Sequence, residues 1–234
     1  MTETTIQRLA RVKESIRDAV RNAGRRPGSV QLLAISKTHP AEAIEDAFAG
    51  GQTLFGENYA QEFASKCAAL EHLEELEFHF TGPLQSNKVK LVAGQVQLIH
   101  TVDRQKIVNF IARHAAGLGV TQDVLLEVHL SPEESKAGCS PEELPLLLQH
   151  ALGTPNIRPV GLMTMPPYHL DAHETRPYFE RLRRLLEENR QRFGLRDFGQ
   201  LSMGMSHDFA EAIAEGATIV RVGTAIFGSR YHSP

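Results

Sequence analysis

The chain begins with a helical pattern of apolar positions and then changes to a strand-like one. Between residues 5 and 21, apolar side chains recur every three or four positions, which is typical of one buried helix face: Ile6, Leu9, Val12, Ile16 and Val20. Gly24 and Pro27 predict the end of this helix. The run VQLLAIS (30–36) follows and is rich in β-prone apolar residues, as expected for a strand covered on both faces.

This alternation continues along the rest of the chain. Further strands are predicted near residues 53–55, 78–81, 97–101, 123–129, 158–163, 199–203 and 218–222. Helices are predicted between them, near residues 40–48, 58–73, 86–93, 104–116, 141–151, 174–192 and 207–214. Asp103 is expected to cap the helix that begins near residue 104. Ser140 and Glu143 fit a capping box, with Pro141 as the first helical residue.

Eight strand–helix units predict an α/β fold, a single TIM-like (β/α)8 barrel that spans residues 1–234 as one domain. Few residues follow the last strand, so the N-terminal helix is expected to close the outer ring of helices. The rival fold is a doubly wound open sheet, which typically carries a glycine-rich phosphate turn after its first strand. Here Ser36-Lys37-Thr38-His39 follows the first strand and contains no glycine, which favours the barrel.

Composition and charge exclude several functional classes. The chain has 234 residues, of which 41% are hydrophobic and 23% charged, which is typical of a globular protein and not of a disordered one. The net charge of −3 shows no basic surplus, so no nucleic-acid partner is expected. No apolar run approaches the ~18 residues of a membrane span, and the start of the chain lacks the apolar stretch of a signal peptide. Cys67 and Cys139 are therefore expected to be reduced thiols in a cytoplasmic protein.

Polar residues cluster where the predicted strands end, and in a barrel the chemistry lies at these carboxyl ends. They are Lys37, Glu57, Asn58, His79, Thr81, His100, Asp103, Glu127, His129, Thr164, Ser202, Ser206, Arg221 and Thr224. Lys37 directly follows a buried strand, and lysines are rarely buried unless they are paired or functional. Its position fits a neutral amine that forms a Schiff base with a carbonyl, and equally a lysine that reaches solvent at the rim.

The last two units suggest a phosphate site. Small residues lead from the seventh strand into the next helix (Ser202-Met203-Gly204-Met205-Ser206), and the eighth strand continues into Arg221-Val222-Gly223-Thr224. Barrels frequently bind phosphate in these two loops, although simple tight turns would have the same composition. Together with a Schiff-base lysine, a phosphate cradle indicates pyridoxal 5′-phosphate (PLP) or a sugar phosphate.

Six segments spread over almost the whole chain match one known family in order. They are LLAISKTHP (32–40), LFGENYAQE (54–62), FHFTGPLQSNK (78–88), IHTVDR (99–104), GLMTMPP (161–167) and LSMGMSHDFAEAIAEGATIVRVGTAIFG (201–228). On these segments the chain resembles the pyridoxal phosphate homeostasis proteins (the YggS/PROSC type), barrels similar to the N-terminal domain of alanine racemase. Members of the family often have Trp where Phe78 stands and Ile where Thr81 stands, two positions expected near the barrel mouth.

The resemblance implies how the cofactor would be anchored. Lys37 would carry PLP as a Schiff base. The phosphate would be held by the side chains of Ser206 and Thr224. The backbone N–H groups of Gly223 and Thr224 would also donate to it. A phosphate carries a charge of about −1.5 to −2, which favours N–H donors and the positive end of a helix dipole.

The resemblance also places three residues around the pyridoxal ring. Arg221 would face the pyridine nitrogen, Met203 would pack near the ring, and Asn58 would lie close to it. An arginine donates to a neutral nitrogen, and this makes the ring a weaker electron sink than a pyridinium that faces an aspartate. Such a site would hold PLP but would activate carbanion chemistry poorly.

The expected function is therefore intracellular PLP carriage and homeostasis without robust catalysis, as the resemblance implies. The alternatives are a weak PLP-dependent amino-acid racemase and a Schiff-base aldolase that acts on a sugar phosphate. A racemase needs an acid–base group on each face of its substrate, and in the similar racemases the second group is a tyrosine from a second domain of a partner subunit. A chain of this length leaves no room for such a domain, and its tyrosines have no evident claim, although Tyr168 could approach the site: Tyr59, Tyr168, Tyr178 and Tyr231.

Partners and weaker candidates complete the expectations. PLP and apo PLP-dependent enzymes are the expected partners, no metal is expected, and a monomer is the expected state. His169 and His173 could ligate a metal if they were helical, but their context favours a solvated segment. Lys136 could accept PLP transiently or be a surface lysine, and the loop 164–174 could act as a lid.

Overall fold

The first helix forms where the apolar stripe predicts it. A computed structural model describes residues 3–131, 137–167 and 170–228. In it, helix α1 (Thr5–Asn22) buries Leu9, Val12, Ile16 and Val20 of the predicted stripe, whereas Ile6 at its start is exposed. The Thr4 hydroxyl accepts from the Gln7 N–H, and the Gln7 side chain accepts from the Thr4 N–H. This reciprocal cap satisfies N–H groups that have no partner inside the helix.

In the described residues, eight parallel strands close into a barrel in chain order. The strands are β1 (Gln31–Ile35), β2 (Leu54–Glu57), β3 (Glu77–Phe80), β4 (Leu98–Val102), β5 (Gln122–Glu127), β6 (Ile157–Met163), β7 (Gln200–Ser202) and β8 (Ile219–Val222). The barrel closes where β8 pairs with β1, with Leu33 opposite Arg221 and Ala34 opposite Val222. The barrel is confirmed, and its strands lie where the pattern predicts them.

The helices surround the barrel. After α1 come α2 (Ala41–Ala49), α3 (Ala60–Ala69), α4 (Gln105–Leu118), α5 (Leu144–Leu152), α6 (Ala172–Arg192), α7 (Phe209–Ala214) and α8 (Thr224–Phe227). Helix α1 packs against α2, α7 and α8, and so closes the outer ring as expected. The helix predicted over residues 86–93 is wrong, because this segment contains only the 3-10 turn Val89–Leu91. Its Ser, Asn and Val residues favour a helix weakly.

Two predicted helix caps differ from the structure. Helix α4 begins without a side-chain cap, because the Asp103 carboxylate pairs with the guanidinium of Arg104. Ser140 and Glu143 do exchange the two predicted hydrogen bonds. These bonds close a turn that precedes α5, so Pro141 is not the first helical residue.

The barrel interior is apolar towards the amino ends of the strands and polar towards their carboxyl ends. Successive strand residues face the interior and the helices alternately. The apolar interior layer consists of Leu33, Leu54, Leu98, Leu125, Met163 and Ile219. Two residues further along β4, β5 and β8, the same inward register places His100, Glu127 and Arg221, all buried. The polar site is therefore built directly on a packed core, and the larger apolar cluster lies between strands and helices.

Cys67 and Cys139 are free thiols, and burial raises the pKa of each, to about 11 and about 12. Within the described ranges, no helix combines the length and the apolarity that crossing a bilayer requires.

Candidate functional site

A cleft of about 450 Å³ opens at the carboxyl ends of the strands. Its wall consists of Ile35, Lys37, Asn58, Thr81, Met165, Met205, Ser206, His207, Arg221, Gly223, Thr224 and Ala225. The residues predicted for the cofactor site all lie on this wall, with the exception of Met203. That side chain is fully buried in the larger apolar cluster, so its contact with a cofactor ring stays a prediction.

Lys37 reaches the cleft because of strand periodicity. Leu33, Ile35 and Lys37 occupy alternate positions and so face the same side, where Leu33 and Ile35 belong to the interior cluster. Ser36 lies between them and faces the helices, where its hydroxyl donates to Glu57 Oε1 at 2.7 Å. The position of Lys37 therefore fits a site at the end of β1.

Asn58 is held on the cleft wall by the segment that follows β3. The Thr81 hydroxyl donates to Asn58 Oδ1 at 2.8 Å. A Cβ on Gly82 would lie 1.9 Å from the Asn58 carbonyl oxygen, so only glycine allows the two segments to approach this closely. Thr81 lies at the mouth as expected, whereas Phe78 does not, because its ring packs against Phe63 of α3.

Arg221 lies inside the barrel at the end of β8. Its Nη1 donates to Ser202 Oγ at 2.7 Å, and its Nη2 donates to the Thr164 carbonyl at 2.9 Å. Burial lowers the pKa of Arg221 to about 10, an effect that Asp208 and Glu127 oppose. The guanidinium therefore stays charged at neutral pH. Since a guanidinium has five N–H donors, donors beyond these two bonds can serve a ligand in the cleft.

Two histidines extend this hydrogen-bonded chain through the barrel. His100 Nδ1 lies 2.8 Å from Ser202 Oγ, and His100 Nε2 lies 3.0 Å from His79 Nδ1. Burial lowers the pKa of His79 to about 4. Burial also lowers the pKa of His100 well below its ordinary value, with smaller effects from His79 and Arg221. Both rings are therefore neutral at neutral pH and do not repel the guanidinium.

Glu127 is the buried carboxylate of the same polar layer. Its pKa is raised to about 7, mainly by burial and also by the charge of Asp103, and the Arg221 guanidinium opposes this effect. This side chain therefore changes its protonation state near neutral pH, unlike the two histidines. The sequence pattern predicts each residue of this polar layer separately, as a polar residue at a strand end. The period-two alternation of the strands also predicts that these side chains share the barrel interior.

Hydroxyl groups and backbone N–H groups form the opposite end of the cleft. Ser206 lies in the turn before α7, and Gly223 precedes Thr224, the first residue of α8. The N–H groups in the first turn of a helix have no partner within that helix. This part of the wall has the donors that an anion requires.

The turn that carries Ser206 depends on a glycine. Gly204 has a φ of +92°, and a Cβ there would lie 2.6 Å from the Cβ of Ala212. The Asp208 carboxylate accepts from the Met205 N–H at 2.6 Å and fixes the same turn. Backbone geometry, supported by the Asp208 carboxylate, therefore determines this end of the cleft.

A buried ion-pair cluster lies on the other side, between the barrel and α3. We call it the Lys66 cluster: Ser36, Glu57, Glu62 and Lys66. Lys66 Nζ donates to Glu57 Oε1 at 2.6 Å, to Glu62 Oε1 at 2.7 Å and to the Ser36 carbonyl at 2.8 Å. Burial raises the pKa of Glu57, and the Lys66 ammonium opposes this effect.

The sequence pattern revealed this cluster only in part. Glu57 is predicted at a strand end, and its carboxylate accepts from the hydroxyl of Ser36, which follows the neighbouring strand β1. Lys66 is missed, because a Glu–Lys pair four residues apart in a helix is usually exposed. Here the pair lies on the face of α3 that covers β1 and β2, and Lys66 is only 5% exposed.

Several predicted features lie outside the described residues, namely Lys136, Tyr168, His169 and Tyr231. His173 belongs to α6 and its Nδ1 lies 3.0 Å from Glu211 Oε1. In the part of the chain that the structure describes, no group of three His, Cys, Asp or Glu side chains is arranged to hold a metal ion. Helix α6 begins at Ala172, so the predicted loop 164–174 is shorter than expected.

Comparison with known proteins identifies the family. The sequence model described as "Alanine racemase, N-terminal domain" matches residues 8–231. The pyridoxal phosphate homeostasis proteins of Aquifex aeolicus and Pseudomonas aeruginosa are each 46% identical to this chain, over 96% and 99% of its length and 97% and 98% of theirs. The structure of PipY of Synechococcus elongatus PCC7942 with PLP bound matches with a TM-score of 0.86 and 38% identity, over 96% of this chain and 100% of PipY. This chain therefore belongs to the family of pyridoxal phosphate homeostasis proteins, which share the barrel of the alanine racemase N-terminal domain.

Proposed function

We propose that this chain binds PLP in the cleft, holds it covalently on Lys37 and acts in PLP homeostasis as a carrier without robust catalysis. The observation that carries the proposal is the meeting of Lys37, Arg221 and the two glycine-containing loops in one cleft. The names of the relatives and the PLP bound to PipY support it.

The residues present fit this cofactor. The cleft volume of about 450 Å³ falls within the roughly 300–1,000 Å³ of small-molecule sites. Ser206 and Thr224 supply hydroxyl groups for the phosphate, and the start of α8 supplies backbone N–H groups. A Cβ on Gly223 would lie 3.0 Å from the Ile35 carbonyl oxygen, so the glycine allows the backbone to pass close to β1 beside the cleft.

Lys37 provides the covalent anchor. When bound, PLP supplies an aldehyde carbon and a conjugated ring that can draw electrons. Lys37 would hold PLP through a carbon–nitrogen double bond between its Nζ and the aldehyde carbon. Two amine protons and the aldehyde oxygen would leave as water, so no oxidant or other reactant would be needed.

Arg221 and Asn58 orient the ring in this proposal. The charged Arg221 guanidinium would donate to the pyridine nitrogen, Asn58 would lie beside the ring, and Met203 would support the ring from the apolar core. An arginine does not give its proton to the nitrogen. The ring therefore stays a weak electron sink, which suits holding the cofactor better than carbanion chemistry.

The described tyrosines give no support to racemisation. Tyr59 is exposed before the first turn of α3, and Tyr178 packs against the core from α6. Neither lies on the cleft wall. We also propose that the protein is a monomeric cytoplasmic carrier that delivers PLP to apo PLP-dependent enzymes.

The test of covalent binding compares the wild type with Lys37→Ala and with Lys106→Ala, a variant of an exposed lysine on α4. Each protein is incubated with PLP, reduced with borohydride and digested for mass spectrometry. We expect a single major adduct on Lys37 in the wild type and in Lys106→Ala, and no adduct at this position in Lys37→Ala. A wild-type protein without a lysine adduct would contradict the proposal.

Carriage is tested by transfer. The loaded protein and an equal concentration of free PLP are each mixed with an apo PLP-dependent enzyme, and recovery of that enzyme's activity is followed. Recovery from the loaded protein, together with the absence of alanine racemisation by the protein alone, is the expected result. Steady turnover of D- or L-alanine would instead identify a racemase.

A further inference from the structure

The residue that follows Lys37 has a strained backbone. Thr38 has a φ of +62°, in the left-handed region that a β-branched residue rarely adopts. Among the described residues, Asn156 is the other non-glycine residue with a positive φ, and asparagine tolerates this conformation well. Such strain persists only where surrounding contacts fix it. The contacts around Thr38 must therefore hold its backbone in this conformation.

Two residues of α3 hold the chain on both sides of Lys37. The Thr38 N–H donates to Glu62 Oε1 at 2.6 Å. Lys66 Nζ donates to the same oxygen at 2.7 Å and to the Ser36 carbonyl at 2.8 Å. The residue before Lys37 and the residue after it are thus tied to one ammonium group.

The ammonium group has no N–H left for another role. Its third bond goes to Glu57 Oε1 at 2.6 Å, which accounts for all three donors of a lysine. Glu57 Oε1 also accepts from the Ser36 hydroxyl at 2.7 Å. Ser36 is therefore held through both its carbonyl and its side chain.

We propose that Glu62 and Lys66 are positioning residues for the covalent step at Lys37, an inference that rests on the proposed function. They fix residues 36–38 so that the Lys37 Nζ meets the aldehyde carbon of a phosphate-anchored ligand. Reacting atoms must approach to about 3–3.5 Å in a suitable orientation before a bond forms. A lysine has a long flexible stem, so a mobile backbone would spread its amine over many positions. Neither Glu62 nor Lys66 lies on the cleft wall.

This role separates two measurable steps. The Ser206 and Thr224 loops bind the phosphate of any closely similar ligand, whereas only the covalent step needs a positioned Lys37. Pyridoxine 5′-phosphate carries an alcohol in place of the aldehyde, so its binding reports the first step alone. The rate of adduct formation at saturating PLP reports the second step.

The experiment compares the wild type with Glu62→Ala, Glu62→Gln and Glu180→Ala. Alanine removes the acceptor of the Thr38 N–H, whereas glutamine keeps an oxygen at the same place. Glu180 pairs with Arg184 four residues further along the exposed face of α6 and is the matched control. Stopped-flow absorbance gives the rate of adduct formation, and calorimetry gives the Kd of pyridoxine 5′-phosphate. Borohydride reduction and mass spectrometry locate the adduct.

We expect Glu62→Ala to slow adduct formation about 10- to 100-fold while the Kd of pyridoxine 5′-phosphate is unchanged. Glu62→Gln should recover most of the rate, and Glu180→Ala should match the wild type. An unchanged rate in Glu62→Ala overturns the inference. So does a parallel loss of rate and pyridoxine 5′-phosphate binding, because that result indicates general loosening of the cleft.

Failure of the proposed function gives a different result. In that case the wild type binds pyridoxine 5′-phosphate and forms no adduct on Lys37. The positioning role is then wrong together with the proposed covalent anchor. If Glu62→Ala does not fold, Glu62→Asp takes its place, since it withdraws the carboxylate by one methylene. The same two outcomes then decide.

Discussion

The two walls of the cleft are fixed by different physical means. On the β1–β2 side, the Lys66 cluster holds the chain around Lys37 through charged side chains buried under α3. On the β7–β8 side, the tight turn at Gly204 and the start of α8 fix Ser206 and Thr224 through the backbone. A covalent anchor needs one atom in one place, whereas an anion needs several donors around it. Hydrogen bonds from buried side chains suit the positioning of one atom, and the backbone N–H groups of a turn suit the binding of an anion.

Loss of the buried ammonium should have the largest effect on stability. Lys66→Met leaves the Glu57 carboxylate buried without its cation, and we expect it to lower the free energy of unfolding by about 3–5 kcal/mol. Urea denaturation measures the change. The double variant Lys66→Met/Glu57→Gln should recover part of the loss, and Arg184→Met should cause no measurable loss, since its pair with Glu180 is exposed. A loss in Arg184→Met as large as that in Lys66→Met would contradict the importance of burial.

Acid should weaken the polar interior of the barrel through His79 of β3. The pKa of this histidine is about 4 in the folded chain and about 6.5 when exposed. Below pH 6.5 the unfolded chain therefore binds a proton that the folded chain refuses, and stability falls as the pH drops towards 4. The full effect is about 3 kcal/mol.

The control for this prediction is His79→Gln, compared with the wild type at each pH by urea denaturation. Glu127 has the opposite effect on stability. Its pKa is raised to about 7 in the folded chain, so between pH 7 and pH 4.5 the folded chain binds a proton that the unfolded chain does not, and stability rises as the pH falls. The difference between variant and wild type removes this contribution. If the difference in the free energy of unfolding between His79→Gln and the wild type does not vary between pH 7 and pH 4, His79 titrates normally in the folded chain.

The backbone wall is tested by Gly204→Ala. The added Cβ meets Ala212 and forces a non-glycine residue to a φ of +92°, so we expect a loss of about 2 kcal/mol. The matched control is Gly194→Ala, at a φ of +64° with open space around it, which should cost about 1 kcal/mol. Thermal and urea unfolding measure both. Equal losses would show that strain alone matters at Gly204 and that the contact with Ala212 relaxes.

The smallest expected effect concerns a single hydroxyl of the phosphate loops. If Thr224 donates to the phosphate as proposed, Thr224→Val should weaken PLP binding about tenfold, or about 1.4 kcal/mol, because it removes this donor. Calorimetry with pyridoxine 5′-phosphate should show the same tenfold change, while the adduct rate at saturating PLP stays at its wild-type value. This result would be the reverse of the one expected for Glu62→Ala. A slower adduct rate in Thr224→Val would mean that the two walls are not independent.

The fold and the cleft wall were predictable for local reasons. Apolar periodicity locates the strands, and the residue after a buried strand must lie at a strand end, which places Lys37. The 3-10 turn at Val89–Leu91 was mistaken for a helix because a short apolar spacing does not distinguish the two. Met203 follows the polar Ser202 and precedes a glycine turn, and nothing local shows that the core encloses it completely.

The contacts that fix the site were not predictable in the same way. Lys66 lies 30 residues from Ser36 in the chain, and their contact exists only because α3 covers β1. His79, His100 and Ser202 come from three strands, and only barrel closure brings them into one hydrogen-bonded chain. Sequence periodicity shows which side of a strand a residue faces, but not which distant residue it meets there.

The complete hydrogen bonding of Lys66 also has a consequence for chemical selectivity. An aldehyde reacts with a lysine only through a neutral nitrogen that has an available lone pair. Lys66 lies beside the same strand end as Lys37, yet its nitrogen donates to two carboxylates and a carbonyl. Under the proposed function, the aldehyde would therefore meet the Lys37 amine on the cleft wall, while the hydrogen bonds of Lys66 engage its nitrogen elsewhere.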